Sequence, residues 1–530
     1  MHTQGGRVLN KGYSEGGASY TSKVMKGMVP NSGGPREDID YNLQTLRERC
    51  RMLYMDAPLC ASAINTNRTN VVGVGLRLKS TIDREALGMT QEAAEEWQKN
   101  TEAEFNLWAS RKQACDAIGM NDFYSIQQLC LMSWLMSGDV FAVIKRRKTT
   151  KLTPYSLRLH VVEADRVRTP TDGATLTYPS ITTGKAENGN MIFDGVEVDV
   201  SGAVVAYYIA NTYPNEISDL TKTTDFIRVE AYGGESELPN ILHVMASERP
   251  DQYRGVPYLA QTIKPMLQMR RYTDAEIMAA VVQSFFTAWI KINTGADENP
   301  LNEVCGEAGE LSHEENEYEM GPGTINFLEP NEDIGVTSPS HPNNGFEAFM
   351  RAMCEQVGAC LEVPADLLLK SFNSSYSASR AALLEAWKGF KMRRVWLTND
   401  LCKPTYEIWM TEAVARGRIS APGFLTDPII RQAYLKSEWI GPSQGQLDPT
   451  KEVSAAISAI ENGLSTREAE AIRLNGSEYS ANVDKLTVEN EKLKAANGQN
   501  APDLGQQIQN FITKTAEYAA KKEVEEHDNR

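Results

Sequence analysis

The sequence lacks the arrangements of histidine and cysteine that metal centres and many active sites require. Its 530 residues include six histidines and eight cysteines, and the cysteines are scattered without a Cys-x-x-Cys pair. The glycine-containing segment 71–76 has neither the third glycine of a dinucleotide loop nor the lysine of a P-loop. We therefore predict buried, reduced thiols, no bound metal or cofactor, and no catalytic residues.

Long apolar runs are also missing. The most membrane-like stretch, Ile277–Ile290, is interrupted by Gln283, Ser284 and Thr287 and falls short of the roughly 20 apolar residues that span a bilayer. The first residues, Met-His-Thr-Gln-Gly-Gly, lack the apolar centre of a signal peptide. We expect the apolar stretch to be a buried helix and the chain to have no membrane partner.

The chain also lacks an excess of positive charge. The chain carries 54 basic and 70 acidic side chains, a net charge of -16. This balance argues against a protein that binds nucleic acid by a generally basic surface. It remains compatible with a protein through which nucleic acid slides without being held. The length suggests about three or four structural modules.

The order of hydrophobic patterns predicts an α+β chain that is mostly helical. Residues 1–36 are rich in Gly, Ser and Lys and read as a flexible arm. The segment 71–80 and several short β-branched runs between Val140 and Val244 predict strands. Apolar residues three or four apart predict helices, at 38–56, 58–70, 92–108, 126–136, 260–290, 346–360, 378–397, 399–416 and 450–461.

A polar break interrupts two apolar segments at Lys370–Ser377. It contains no His, Cys or carboxylate, so it serves something other than bond chemistry. Ser377 or Ser379 is predicted to cap the helix that follows. The apolar face predicted for that helix consists of Leu383, Leu384, Trp387 and Phe390.

The same helix carries basic residues with two open interpretations. They could meet phosphates, or they could belong to a solvated or subunit-pairing face. The residues are Lys388, Lys391, Arg393 and Arg394.

Another predicted helix, at 260–290, is apolar on most of its surface. Residues repeating every fourth position are Ile277, Val281, Phe285 and Trp289. Such a helix needs neighbours on both flanks, which either a ring of subunits or a large core supplies.

Five phrases together resemble one family, the portal proteins of tailed bacteriophages in the lambda-like branch. These phrases are Ala57–Leu78, Asp194–Ile209, His243–Leu259, Asn373–Trp387 and Trp439–Ala471. Among them are Asn-Val-Val-Gly-x-Gly, Arg-Pro-x-Gln-x-Arg-Gly-Val-Pro and Trp-x-Gly-Pro, and together they span about residues 40–475.

The resemblance implies a portal fold of several parts. After the arm at 1–36 come an α/β wing at 37–254, and a stem and clip at 255–330, with the clip in the acidic segment 292–323. A second wing part with a tunnel loop and the long helix follows at 331–419, then a crown region at 420–480 and a polar tail at 481–530. The tunnel loop is Lys370, Ser371, Phe372, Asn373, Ser374, Ser375, Tyr376 and Ser377. Lys388, Lys391 and Arg394 would be channel-facing cations, and the four-residue repeat would be stem packing.

The resemblance further implies a non-enzymatic homododecamer at one capsid vertex of the virion, assembled in the host bacterial cytoplasm. Its partners would be double-stranded DNA passing through the channel, the terminase large subunit, the major capsid and scaffolding proteins, and a head–tail adaptor. Competing interpretations are a different virion connector and a soluble enzyme with His243, Glu248 and Asp251 as acid–base groups.

Overall fold

The computed structural model describes residues 32–170, 183–214, 216, 224–284, 288–292, 332–336, 345–372, 375–445 and 449–497. Short pieces at 3–4, 7–8, 18 and 23–28 are also described. Most of the predicted flexible arm, the acidic segment 293–323 and the end of the polar tail lie outside these ranges.

Helices dominate the described chain. They are α1 Tyr41–Asp56, α2 Pro58–Asn67, α3 Gln91–Ala109, α4 Lys112–Cys115, α5 Phe123–Ser137, α6 Ile263–Ser284, α7 Phe346–Cys360, α8 Ala365–Leu369, α9 Tyr376–Leu397, α10 Lys403–Ala415, α11 Pro428–Leu435, α12 Pro449–Glu461, α13 Arg467–Asn475 and α14 Tyr479–Asn497. Pro58 and Pro428 stand at first helical positions, where the missing amide proton has no helical partner to lose.

The strands are short and antiparallel. They are β1 Thr3–Gln4, β2 Arg7–Val8, β3 Arg77–Ser80, β4 Asp139–Arg146, β5 Leu157–Glu163, β6 Thr183–Lys185, β7 Met191–Phe193, β8 Val196–Val198, β9 Val204–Ala210, β10 Phe226–Glu230, β11 Ile241–Met245, β12 Ala288–Ile292, β13 Glu332–Val336 and β14 Ser437–Ile440. The larger sheets have the orders β11-β4-β5 and β10-β9-β8-β7-β6, and the remaining strands pair as β1-β2, β14-β3 and β12-β13. The prediction of a mostly helical α+β chain is confirmed.

A two-residue turn links β7 to β8. Asp194 and Gly195 both have positive φ, 42° and 85°, as the favoured hairpin turns require, and Asp-Gly is a sequence typical of them. The turn also places the Asp194 carboxylate inside the protein, where it meets two arginines.

The main core joins distant parts of the chain around one aromatic group. Phe105 of α3 lies 5.0 Å from Trp409 of α10 and 5.9 Å from Trp439 of β14, measured between ring centroids. Trp108, Phe123 and Tyr406 also contact Phe105. Residues up to about 440 therefore pack into the same core as α1–α5, and the crown boundary proposed at 420 does not interrupt the packing.

A second, smaller core fills the space between the two larger sheets. Phe141 of β4 meets Tyr207 of β9 at 5.5 Å, and Val196 and Ile209 are buried beside them. Alternating residues of the facing strands supply this core, as expected for packed antiparallel sheets. The sheets form the β part of the segment predicted to be the wing.

Two predicted elements were wrong in extent. The strand predicted from Val71 begins only at Arg77, because Val71 and Val72 end a helical extension and Gly73 and Gly75 adopt φ of 58° and 119°. A Cβ at Gly75 would lie 2.5 Å from the Tyr124 side chain, so this close approach requires glycine. The helix predicted at 260–290 ends at Ser284, and β12 follows.

The described residues include most of the cysteines. Among those residues seven cysteines are free, and all of them except Cys360 are buried. The prediction of buried thiols is confirmed at six of these positions and wrong at Cys360, while Cys305 lies outside the described ranges. No helix in the described part of the chain is both long and apolar enough to cross a membrane.

Glu197 of β8 is a fully buried carboxylate held by surrounding donors. Arg228 donates to both of its oxygens at 2.7 and 3.1 Å, and Asn188 and Asn190 donate at 2.7 and 2.8 Å. Burial opposes ionisation, but these bonds outweigh it and lower the pKa of Glu197 to about 2.

A pH-dependent loss of stability is expected for Glu197→Gln. The lowered pKa stabilises the fold above the unfolded pKa, near 4.5, and this contribution disappears as the pH falls through about 2. The variant should unfold about 2 kcal/mol more easily at pH 7, with a smaller difference from the parent at pH 3. Urea unfolding at both pH values measures this, with the exposed Glu187→Gln as control, and an equal difference at both values would contradict it.

Candidate DNA-channel segment and stem

The first residue of the polar break, Lys370, is hydrogen-bonded to α2. Helix α8 ends at Leu369, and the next residue, Lys370, adopts the left-handed conformation with φ of 55°. Its ammonium group donates to the hydroxyl of Thr66 in α2 at 2.7 Å, and Ser62 of α2 donates to the carbonyl of Leu368 at 2.7 Å. Lys370 therefore anchors the segment on α2 and does not extend from a free loop.

The loop is shorter than predicted, because α9 begins earlier. Ser375 is the N-cap, and its hydroxyl accepts from the amide of Ala378 at 3.4 Å. Tyr376 and Ser377 thus belong to the first turn of α9, and the predicted caps Ser377 and Ser379 were wrong. The described loop residues Ser371 and Phe372 are exposed, whereas Asn373 and Ser374 lie outside the described ranges.

Helix α9 packs against the rest of the chain through one apolar face. Trp387 and Phe390 are 5% and 1% exposed, as predicted, and Ala386 and Leu397 are buried with them. Leu384 is 46% exposed, so its inclusion in the apolar face was wrong. Leu383, one position earlier, is partly buried instead.

Arg394 does not face a channel in this chain. Its guanidinium donates to the carbonyls of Val71, Asn70 and Pro442 at 2.9, 2.8 and 2.9 Å. Burial lowers the pKa of Arg394 to about 10. The side chain caps the end of the helical extension after α2, so its assignment as a channel cation is wrong.

Arg393 likewise has a role inside the body. It pairs with Glu362 at 2.7 Å and lies over the ring of Tyr258 at 4.9 Å. The hydroxyl of Tyr258 donates to the carbonyl of Leu361. Sequence reasoning missed Tyr258 and Glu362, although Tyr258 stands within the phrase His243–Leu259.

The two lysines of α9 are exposed. Lys388 pairs with Glu385 at 2.5 Å on the same helix, so its charge is partly neutralised. Lys391 is exposed. Of the three predicted channel cations, these two remain candidates for contact with phosphates or with a neighbouring subunit.

Helix α6 leaves the core after its first two turns. Ile263, Met266 and Met269 are buried, and Tyr272 stacks on Phe346 of α7 at 5.7 Å. Beyond that point Ile277 and Met278 are 56% and 60% exposed, and Val281 of the predicted stem repeat is 44% exposed. Ile277 and Met278 are therefore apolar side chains that no described part of the chain covers fully.

The remaining members of the stem repeat do not continue the helix. Trp289 lies in β12, paired with Gly335 of β13, so the four-residue spacing beyond Ser284 was a misleading helical signal. Phe285 lies outside the described residues. These residues form a strand because the backbone of β12 pairs along its whole length with β13. A helix has no free backbone groups for such pairing.

The enzyme alternative depends on His243, which instead belongs to a buried ionic network. Arg254, with no exposed surface, donates to Asp139 at 2.7 and 3.2 Å and to Asp194 at 2.8 Å. Arg47 lies 3.5 and 3.4 Å from the same two carboxylates. Burial opposes the ionisation of Asp139, but Arg254 and Arg47 hold its pKa well below the usual range.

His243 completes this network as a structural side chain. Its Nε2 lies 3.4 Å from Asp139, and its ring stacks on Phe141 at 4.2 Å. Burial lowers the pKa of His243. In the described part of the chain no hydrogen bond or ion pair joins it to Glu248 or Asp251, so the proposed acid–base trio does not assemble. Nor do the described ranges contain three His, Cys, Asp or Glu side chains grouped to hold a metal ion.

The model of a known protein family matches the amino-acid sequence of this chain. The model described as phage portal protein, lambda family, matches residues 21–394, from the arm through nearly all of α9. The chain belongs to the lambda family of phage portal proteins. As a portal protein it is a structural component of the phage virion and assembles as a homo-oligomeric ring.

Two curated relatives align in sequence with almost the whole chain. The portal protein of Escherichia phage N15 is 23% identical over 520 residues, covering 93% of this chain and 92% of the relative. Portal protein B of Escherichia phage lambda is 23% identical over 507 residues, covering 92% and 90%. A solved chain from the neck of a native GTA particle has a TM-score of 0.41 and 12% identity, over 82% of this chain and 94% of that one. A TM-score of 0.41 at 12% identity carries no argument about the fold of this chain.

Proposed function

We propose that twelve copies of this chain close into a ring at one capsid vertex, around a channel for double-stranded DNA. The terminase large subunit drives DNA inward through the channel, and the same path serves ejection. The observation that carries the proposal is the family match across residues 21–394, which includes α6, the polar loop and most of α9. The ring is assembled in the host bacterial cytoplasm.

The parts of the ring follow the domain boundaries expected from the sequence. Residues 37–254 and 331–419 supply the wing, α6 the stem, and 420–480 the crown. The acidic segment 292–323 supplies the clip, which contacts the terminase and later the head–tail adaptor. The major capsid and scaffolding proteins surround the ring. Two findings support this division: the two larger sheets lie between Asp139 and Met245, and α6 departs from the core.

The loop between Lys370 and Ser375 is proposed to border the moving DNA. Its exposed residues, Ser371 and Phe372, carry no charge, and the ammonium of Lys370 is occupied by Thr66. Hydroxyl groups form weak, exchangeable bonds to phosphate oxygens. Because duplex DNA carries one charge per roughly 1.7 Å of axis, a loop without free cations lets it pass.

The stem proposal is tested by Ile277→Asp. A carboxylate on the exposed apolar surface of α6 would be buried between neighbouring subunits without a partner, at a cost of several kcal/mol per contact. We expect the variant to fold but to remain monomeric, as measured by size-exclusion chromatography with light scattering. The control is Val200→Asp, at a fully exposed turn position, which should still form rings. Normal rings from Ile277→Asp would contradict the stem assignment.

A further inference from the structure

One strongly basic element stands apart from this acidic chain. The hairpin that joins β4 to β5 reads Lys-Arg-Arg-Lys-Thr-Thr-Lys from Lys145 to Lys151, five cations in seven residues. Between Asp139 and Glu163 there is no acidic residue. Against a net charge of -16 for the whole chain, this concentration of positive charge requires its own explanation.

The hairpin is an ordered ribbon that extends beyond its sheet. Strand pairing ends at Arg146 and Leu157, and the ribbon continues with the amide of Arg147 donating to Ser156 at 2.9 Å. Thr150 and Thr153 close the tip with reciprocal backbone bonds of 3.0 and 3.2 Å. Lys145 and Arg146 lie in β4, and residues 147–151 lead to the tip of the hairpin, where Arg111 donates to the carbonyl of Leu152 at 2.6 Å. The five cations are therefore spread along one arm and the tip of the hairpin.

Most of the cations in the hairpin are available to a partner. Arg146 pairs with Glu412 of α10 at 2.9 Å, at the base of the ribbon. Among the residues that the structure describes, no ion pair involves Lys145, Arg147, Lys148 or Lys151, and all four are exposed.

A buried arginine adds positive charge beneath the ribbon. Arg158, opposite Lys145 in the register, is 2% exposed. It donates to the carbonyls of Tyr155 and Leu157 at 2.9 and 2.7 Å, while its Nε has no partner in the described structure. Burial and then the neighbouring Arg147 lower the pKa of Arg158. Like charges are therefore crowded here without a carboxylate bound to Arg158.

We propose that the β4–β5 hairpin is a binding site for the phosphate backbone of duplex DNA, separate from the channel loop. Dense Lys and Arg on a narrow ribbon are typical of phosphate contacts, and a two-stranded ribbon fits the major groove, which is about 12 Å wide. Threonine hydroxyls at the tip can donate to phosphate oxygens.

An acidic protein segment fits the hairpin less well. Lysine is depleted at specific protein–protein interfaces, whereas three of the four free cations here are lysines. The acidity of the rest of the chain does not prevent DNA binding, because charges beyond about 8 Å are screened at physiological salt. The proposal also does not depend on ring formation, since the hairpin and its base belong to one chain.

The experiment uses the full chain and a fluorescent, covalently closed DNA minicircle. A closed circle cannot thread through a ring, so binding reports surfaces outside the channel. We expect the logarithm of the binding constant to fall with the logarithm of salt concentration with a slope of about -3.6, or about 0.9 per free cation. Between 50 and 200 mM salt this corresponds to a loss of affinity of roughly 150-fold.

The decisive variant replaces three hairpin lysines with glutamine. Lys145→Gln, Lys148→Gln and Lys151→Gln together should reduce the slope to about -1 and weaken binding at least tenfold at 100 mM salt. The matched control removes three exposed lysines of α14 by Lys485→Gln, Lys492→Gln and Lys494→Gln and should bind like the parent. Circular dichroism and ring formation, equal in all three proteins, show that folding is unchanged.

Three results would overturn the proposal. They are unchanged binding by the hairpin variant, equal loss in the α14 control, and tighter binding of polyglutamate than of the minicircle at equal charge. The last would identify an acidic protein as the partner. Failure of the portal assignment would be seen separately, as a chain that forms no ring while its hairpin still binds DNA.

Discussion

Replacing Arg254 with alanine is expected to destabilise the folded chain by about 3 to 5 kcal/mol. Arg254 lies between the buried carboxylates of Asp139 and Asp194, at 2.7 and 2.8 Å, and its removal leaves both without their main partner. Arg47 remains, but at 3.5 and 3.4 Å it cannot replace the lost bonds. A buried charge without a partner is among the largest single-residue penalties known in proteins.

The expected loss is measured by urea unfolding followed by tryptophan fluorescence. The control is Arg249→Ala, which breaks a 2.7 Å pair with Asp38 at a partly exposed position, and should cost less than about 1 kcal/mol. Arg254→Lys keeps the charge without the planar fork and should lie between the two. Similar losses for Arg249→Ala and Arg254→Ala would show that the network does not hold the two sheets together.

The second large effect concerns DNA passage. Replacing Ser371 and Phe372 together with lysine adds free cations to the exposed loop, while Lys370 and the Ser375 cap stay intact. In a ring of twelve this places 24 new charges, two per copy, beside the duplex. Since each phosphate contact holds DNA by released counterions, we expect packaging to slow by at least about tenfold.

Packaging of DNA into empty heads by terminase, with nuclease protection as the readout, measures this effect. The matched control replaces the same two residues with glutamine, which is similar in length but uncharged, and should package close to the parent rate. Electron micrographs of both variants should show normal rings. If the lysine variant packaged at the parent rate, the loop would not border the DNA.

Much of the helical framework could be predicted from the sequence, because its apolar periods are long and regular. The predictions at 346–360 and 450–461 match α7 and α12 to within one residue at each end. Elsewhere, contacts between distant parts of the chain decide the secondary structure, and the apolar spacing alone predicts the wrong element. The apolar spacing that reaches Trp289 suits a helix, but Ala288–Ile292 pair as a strand with Glu332–Val336, a segment about 40 residues further along the chain.

The site residues were harder to predict, because a side chain's partner cannot be read from its neighbours in sequence. Arg394 was predicted to be a channel-facing cation, and for its neighbour Arg393 phosphate contact and a solvated or subunit-pairing face were both left open. Arg394 donates to the carbonyl of Asn70, whereas Arg393 pairs with Glu362. The DNA-binding hairpin at 145–151 was visible as a charge run, yet only the structure shows that Arg146 alone among its cations has an ion-pair partner in the described chain.

The central claim is that many copies of this chain surround a hollow passage. End-on electron micrographs of the purified protein, combined with its mass by light scattering, test it most directly. The account predicts twelve-fold particles with a central hole and a mass near twelve times 58.8 kDa. Compact, unperforated single chains at all concentrations and salt conditions would contradict it.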